Sequence, residues 1–164
     1  MVRVRLASIE DAVLLAELVC DVQRLHAEAL PEIYTPVDDL EPFVDDFRGR
    51  LLANPDGRVY IAEVDGEAVG YVYAFRSQRV ATAYTWARDT LVVDQISVRP
   101  AYQGCGIGRL LMQAVYDLAR ELQVDKVHLK VLAFNDAAIG FYAKLGFTMF
   151  SHDMVLDIKD AMSS

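Results

Sequence analysis

Val2 to Leu6 alternates apolar residues with Arg3 and Arg5, the period-two pattern of a strand with one buried face. Ser8 follows, with Asp11 three residues later, and this spacing predicts a helix start close to a capping box. Leu15, Leu18, Val19, Val22 and Leu25 then recur at helical intervals and predict one apolar helix face. Between Pro31 and Asn54 the pattern loosens. Pro31, Pro36 and Pro42 break it early, and a helix is expected to resume over about Phe43 to Leu52. Asn54-Pro55-Asp56-Gly57 reads as a turn. Two strand-like runs, Val59 to Val64 and Ala68 to Phe75, flank Asp65-Gly66, a strong short-range hairpin signal.

Leu91 to Val98 reads as a mostly buried strand. Gly104, Gly106 and Gly108 lead into a run in which Ile107, Leu110, Leu111, Ala114, Val115, Leu118 and Leu122 keep helical spacing. Val127 to Leu132 predicts another strand. Asn135 is placed to cap a helix running to about Leu145, with Gly146 as its C-cap. Phe147 to Phe150 and Met154 to Ile158 predict two closing strands. The order β-α-α-β-β-β-α-β-α-β-β predicts an α/β (mixed α+β) fold, a mixed sheet with helices on both faces. With no repeat, low-complexity tract or linker, residues 1–164 are expected to form a single domain.

Composition narrows the function classes. Apolar residues make up 54% of the 164 and charged residues 24%, which suits a packed core rather than disorder. No apolar run approaches the roughly 20 residues that cross a bilayer, and the N-terminus lacks the layout of a signal peptide, so a cytoplasmic location without membrane contact is expected. Acidic residues outnumber basic ones 24 to 16, a formal charge of −8, which argues against nucleic acid as a partner and suits cationic small molecules, basic peptides or simple solubility. Cys20 and Cys105 make no disulfide framework, and no Cys/His cluster has metal-ligand spacing, so no metal site is expected. Cys105 lacks a recognisable partner base and reads as a small side chain in a tight loop.

The chemistry concentrates between Asp94 and Arg109, where a buried strand ends and a glycine-rich loop opens a long amphipathic helix. Glycines let backbone N–H groups converge, and the helix N-terminus adds about half a positive charge, so the loop suits a pyrophosphate. No Gly-Lys-Ser/Thr follows, which excludes a P-loop, and glycines at 104, 106 and 108 are not the Gly-x-Gly-x-x-Gly of a dinucleotide fold. Gly140, inside a predicted helix, costs about 1 kcal/mol relative to alanine, and close packing and close ligand approach both account for it.

Gln103-Gly104-Cys105-Gly106-Ile107-Gly108 resembles the Arg/Gln-x-x-Gly-x-Gly/Ala signature of the GNAT superfamily of N-acetyltransferases. Asn135 to Phe147 is similar to that family's Asn-x-x-Ala-x-x-Phe-Tyr-x-Lys-x-Gly-Phe stretch, and the element order also fits. The resemblance implies a central, mostly antiparallel twisted sheet and acetyl-CoA as the acetyl donor. It further implies that Ile96 and Val98 offer backbone groups to the pantetheine arm, and that Gln103, Gly104, Cys105, Gly106, Ile107, Gly108 and Arg109 hold the pyrophosphate. Asn135 would bond the pantetheine arm, and Tyr142 would both contact the cofactor and protonate the departing thiolate.

The implied reaction is direct attack by a primary amine, from a small molecule or amino-acid-like acceptor, on the thioester. At pH 7 an amine of pKa near 10.4 needs about 4.6 kcal/mol to deprotonate, so a carboxylate base is expected. Asp94 is the leading candidate, because alternation puts it on the face of Ile96 and Val98. A structural hydrogen-bonding role fits it equally well, and Asp89 and Glu32 are further candidates for the base. The resemblance implies that the acidic, aromatic segment from Pro31 to Phe47 overhangs the acceptor, while a solvated acidic face accounts for it equally; Gln78 to Asp89, with Tyr84 and Trp86, is expected to form an opposite wall, a core contact or a dimer contact. Two other functions stay open: acetylation of a protein or peptide, and a non-catalytic acyl-CoA sensor. A homodimer is compatible with such a domain.

Overall fold

Seven consecutive residues, Ala68 to Ala74, are buried, so both faces of that strand are covered. The computed structural model describes residues 1–161 and places this strand third in a five-stranded sheet. Strands β1 (Val2–Leu6), β2 (Gly57–Val64), β3 (Glu67–Arg79), β4 (Arg88–Val98) and β5 (Val127–Leu129) stand side by side in chain order. The first three pairings are antiparallel and β4–β5 is parallel. The Asp65-Gly66 turn between β2 and β3 takes φ of 50° and 88°, as a tight primed turn requires.

The chain divides into two compact units, Met1–Lys130 and Val131–Ser164. In the first, helices α1 (Ala12–Ala29) and α2 (Glu41–Asp46), with the π-turn Phe47–Leu51 that continues α2, cover one face of the sheet. Leu15, Leu18 and Val19 of α1 meet Val44, Phe47 and Leu51, and Ile61, Tyr71 and Tyr73 from the strands complete this core. Helix α3 (Ile107–Glu121) packs on β2, β3 and β4 through Ile107, Leu111, Met112, Val115 and Leu118, opposite the alternate strand residues Ala62, Val72 and Ala74. Leu25 and Leu110, expected on the apolar helix faces, are 44% and 43% exposed. Buried Ser97 of β4 donates to the Leu18 carbonyl (2.9 Å) and ties α1 to the sheet.

An ion-pair network anchors the start of the chain. Arg5 donates to both carboxylate oxygens of Asp11 (2.9 and 2.8 Å) and to Glu63 (2.6 Å), while Arg3 also reaches Glu63 (2.6 Å). Asp11 in turn accepts the Ser8 N–H (2.7 Å), half of the expected capping box. The Arg5 bonds hold the Asp11 carboxyl down at about 2, and the same arginines lower Glu63. Because the folded value lies below the unfolded value near 4, the resulting stability is complete above about pH 4 and is lost as pH falls toward 2. Asp11→Asn is expected to flatten this acid limb, checked by urea-denaturation midpoints across the acid range; an unchanged limb would show that Asp11 does not carry it.

The second unit holds helix α4 (Asp136–Lys144) and the short α5 (Ile158–Ala161). The Asn135 side-chain oxygen accepts the Ala138 N–H (3.0 Å), so Asn135 caps α4 as its sequence position predicts. Gly146, at φ 94°, ends the helix, and the Phe147 N–H returns to the Tyr142 carbonyl (3.0 Å).

The two closing strands do not form. Residues 147–157 are irregular, and Met149, Phe150, Met154, Val155 and Leu156 are each more than half exposed. A short run of strand formers is not a strand without a partner ladder, and no strand of the five-stranded sheet pairs with either run. The strand expected over Val127 to Leu132 likewise stops at Leu129. The observed order, β-α-α-β-β-β-α-β-α-α, keeps the mixed, mostly antiparallel sheet with helices on both faces.

Candidate functional site

The site begins at an irregularity in β4. Tyr73 of β3 stands opposite Gln95 and Ala74 opposite Val93, so Asp94 is an extra residue, a β-bulge. Alternation alone places Asp94 with Ile96 and Val98, but the bulge corrects this. The Asp94 carboxylate lies 3.8 Å from Arg50 on the π-turn, the face where Gln95 accepts the buried Tyr71 hydroxyl (2.8 Å). Arg50 also grips Asp46 through two bonds of 2.7 and 2.8 Å. Asp94 is thus a half-exposed carboxylate with a guanidinium beside it and a second carboxylate behind.

The bulge also switches which backbone groups face the β5 side. Above it, the Arg99 N–H returns to Val69 on β3 (2.8 Å), so alternation leaves the groups of Ile96 and Val98 on the edge away from β3. Below it, Leu91 donates instead to Lys126 on the β5 side (2.9 Å). Since β5 pairs only with Leu91, Val92 and Val93, β4 from Asp94 to Val98 has a strand partner on one side alone among the described residues. Gly70 makes the opposite pairing possible: a Cβ there would meet the Ser97 carbonyl at 2.7 Å. The backbone groups of Ile96 and Val98 on that edge are thus without a strand partner among the described residues.

The glycine loop adjoins that edge. The Gln103 side-chain amide donates to the Val98 carbonyl (3.0 Å), fixing the loop to the strand end. Gly104 and Gly106 take φ of 77° and 84°, and an added Cβ at either would point into open space. Gly106 caps α3, whose first N–H groups, from Ile107, Gly108 and Arg109, have no intrahelical acceptor, while the Leu110 N–H already returns to the Gly106 carbonyl (3.1 Å). Cys105 is exposed, and its thiol points to the Gln103 carbonyl (3.7 Å). The structure therefore brings the strand end at Ile96 and Val98 together with the segment from Gln103 to Arg109, and among the described residues the space at Gly104 and Gly106 is open.

In the second unit, Tyr142 is 8% exposed and lies between Phe141 and Phe147, with ring centroids 5.2 and 5.6 Å away. Burial pushes its phenol up to about 12, so it stays protonated throughout the neutral range.

Of the alternative bases, Asp89 is held by Arg76 (2.9 Å), which lowers its carboxyl further, and Glu32 is exposed. Phe47 corrects the expectation for Pro31 to Phe47: it is a core residue in edge contact with Tyr71 (5.5 Å) rather than a pocket wall. Tyr84 and Trp86 lie outside the core, 95% and 88% exposed. Sequence reasoning missed Arg50; its i,i+4 relation to Asp46 was legible, but its approach to Asp94 depends on the bulge. A cavity of about 400 Å³ lined by Leu6, Leu51, Asn54 and Arg58 contains none of these residues.

The family model of the acetyltransferase (GNAT) family matches residues 21–147. This chain belongs to that family. An N-alpha-acetyltransferase of Sulfurisphaera tokodaii is 32% identical over 152 residues, 88% of this chain and 79% of the relative. Streptothricin acetyltransferase of Streptomyces lavendulae is 32% identical over 102 residues, 62% of this chain, and there the match spans about half (50%) of the relative's length. A solved tetramutant of the Bacillus halodurans BH1408 protein superposes with a TM-score of 0.82 at 25% identity, covering 94% of this chain and 99% of that one. The GNAT fold of this chain is therefore the frame in which the bulge, the open edge and the glycine loop stand.

Proposed function

We propose that this GNAT protein is an acetyl-CoA-dependent N-acetyltransferase that acetylates a primary amine of a small-molecule or amino-acid-like acceptor by direct attack on the thioester. The observation that carries the reading is the open β4 edge at Ile96 and Val98, joined by Gln103 to a glycine loop that opens α3. A pantetheine arm is a chain of amides and lies along such an edge as an added strand would. The loop N–H groups and the α3 N-terminus hold the pyrophosphate, with Arg109 on the first turn adding charge. The Val98 N–H, which faces away from β3, polarises the thioester carbonyl in this reading, a preorganised donor of the kind that contributes several kcal/mol to a transition state.

Asp94 takes the proton of the acceptor ammonium, directly or through a water. The Arg50 guanidinium stands beside that carboxylate, and the acidic surroundings favour a cationic acceptor. Asn135 bonds the pantetheine arm through the amide nitrogen that capping leaves free, and Tyr142 donates to the departing thiolate. Asp94→Asn is expected to lower kcat/KM by about 10²-fold or more and to remove the acid limb of its pH profile. A profile that keeps that limb would assign the base elsewhere.

A second reading has a specific support: the Sulfurisphaera relative, which the chain matches over 88% of its length, is named an N-alpha-acetyltransferase. Under that reading the acceptor is a protein N-terminus and the chemistry is the same. A thermal-shift titration with acetyl-CoA and free CoA, followed by a panel of amines and N-terminal peptides read by thiol release, tests both. Ligand at 100 times its dissociation constant adds about 2.7 kcal/mol, a rise of about 5–10 °C for a domain of this size. A shift with turnover of small amines supports the first reading, and turnover of peptides alone supports the second. A shift without turnover of any acceptor leaves an acyl-CoA sensor, and no shift with either ligand overturns the proposal.

A further inference from the structure

The turn joining β3 and β4 is well built and carries residues with nothing to cover them. Thr82 and Thr85 close it: the Thr82 N–H donates to the Thr85 carbonyl (2.9 Å), and the N–H groups of Tyr84 and Thr85 donate to the Thr82 hydroxyl (both 3.1 Å). On this ordered turn Val80, Tyr84 and Trp86 are 83%, 95% and 88% exposed. A tryptophan held that far out of a defined turn contributes nothing to the fold beneath it.

The charges around the tip are arranged against the isolated chain as well. Arg79 and Arg88 stand directly opposite each other in the β3–β4 register, where like charges repel. Arg76 is neutralised by Asp89, but among the described residues neither Arg79 nor Arg88 makes an ion pair. From Arg76 to Arg88 the chain has three arginines and no acidic residue.

The complementary charge lies elsewhere in the same chain. Residues 25–47 contain seven acidic residues and no lysine or arginine. Glu32, Asp38, Asp39, Glu41 and Asp45 are exposed, with no ion pair among the described residues, and Ile33 beside them is 66% exposed. One surface is cationic and aromatic, the other anionic with an apolar spot, on a molecule whose net charge of −8 would otherwise keep copies apart.

We propose that the β3–β4 tip of one copy docks on the acidic segment, residues 32–45, of a second copy, so that a two-fold dimer makes the contact twice. Trp86 and Tyr84 cover the apolar spot at Ile33, and Arg79 and Arg88 meet Asp38, Asp39 and their neighbours. This pairing removes both the cross-strand repulsion and the exposed indole, and a two-fold arrangement closes the assembly at two copies.

Sedimentation velocity of the full chain over a range of concentrations tests it. The wild type is expected to dimerise, less at high salt than at low salt. Trp86→Ala should weaken the dimer about 30-fold or more, as for an interface anchor, with a melting temperature equal to the wild type's at concentrations where both are monomeric, because the side chain packs on nothing in its own chain. Arg79→Glu with Arg88→Glu should give a monomer, and so should Asp38→Lys with Asp39→Lys. Mixing these two charge-reversed proteins should restore a dimer, because one contact is then native in charge and the other is reversed on both sides. A wild type that stays monomeric at every concentration overturns the proposal and leaves the tip to a different partner. A dimer untouched by either reversal, or a mixture that fails to reassociate, overturns it as well.

Discussion

Tyr142→Phe is expected to lower kcat by about 10²- to 10³-fold while acetyl-CoA affinity stays within about twofold. The substitution removes one hydroxyl and keeps the ring between Phe141 and Phe147, so packing in the second unit is preserved. Burial lifts the phenol to about 12, whereas a thiol has a pKa near 8.5. Full proton transfer to the thiolate would therefore run uphill by about 5 kcal/mol. In the proposed reaction the tyrosine therefore acts chiefly by donating a hydrogen bond as charge develops on sulfur, and solvent completes the protonation. Its high pKa also means that kcat should show no alkaline fall from this group below about pH 10. Isothermal titration for affinity and stopped-flow thiol release for rate separate the two effects. A variant with wild-type kcat would remove Tyr142 from the mechanism, and one that loses binding would make it a packing residue.

Phe47→Ala should be the most damaging substitution for the fold, at about 3–5 kcal/mol, or about 10 °C or more in melting temperature. Phe47 is 2% exposed, meets Tyr71 edge-on at 5.5 Å, and begins the π-turn that carries Arg50. Its removal leaves a cavity at the point where α2, α1 and the sheet converge, and it loosens the turn that holds Arg50 3.8 Å from Asp94. Guanidinium unfolding should show a lower midpoint with an unchanged slope. A loss below about 1 kcal/mol would mean that the neighbouring side chains collapse into the space.

Local chemistry made much of this structure legible. Asp65-Gly66, Asn135 and Gly146 each settle a backbone problem within a few residues, and each does so where the sequence places it. The glycines at 104 and 106 need positive φ at the mouth of α3, which a loop built for backbone donors explains. What stayed hidden depends on pairing across the sheet. The bulge at Asp94 follows from how β3 and β4 fit together, and no residue within β4 announces it. Without the bulge, alternation turns Asp94 to the wrong face and leaves Arg50 unconnected. The two closing strands failed for a related reason: alternation and β-branched residues show that a segment is able to pair, and give no information on whether a partner edge reaches it. Phe47 was misread because an aromatic in a proline-broken, acidic stretch looks superficial until the helix it lies on is docked.

The order β1 to β5 across the sheet is also the order in the chain, and this bears on how the protein is made. As each strand leaves the ribosome, the edge it must join has just been laid down by the one before, through β4. Only then does the pattern pause, because the β5 side of β4 waits until the whole of α3 has been synthesised. The edge at Ile96 and Val98 is thus the one interior to the sheet that β5 does not cover when it arrives. The position proposed for the pantetheine arm is therefore also one at which the nascent sheet is exposed to a foreign strand.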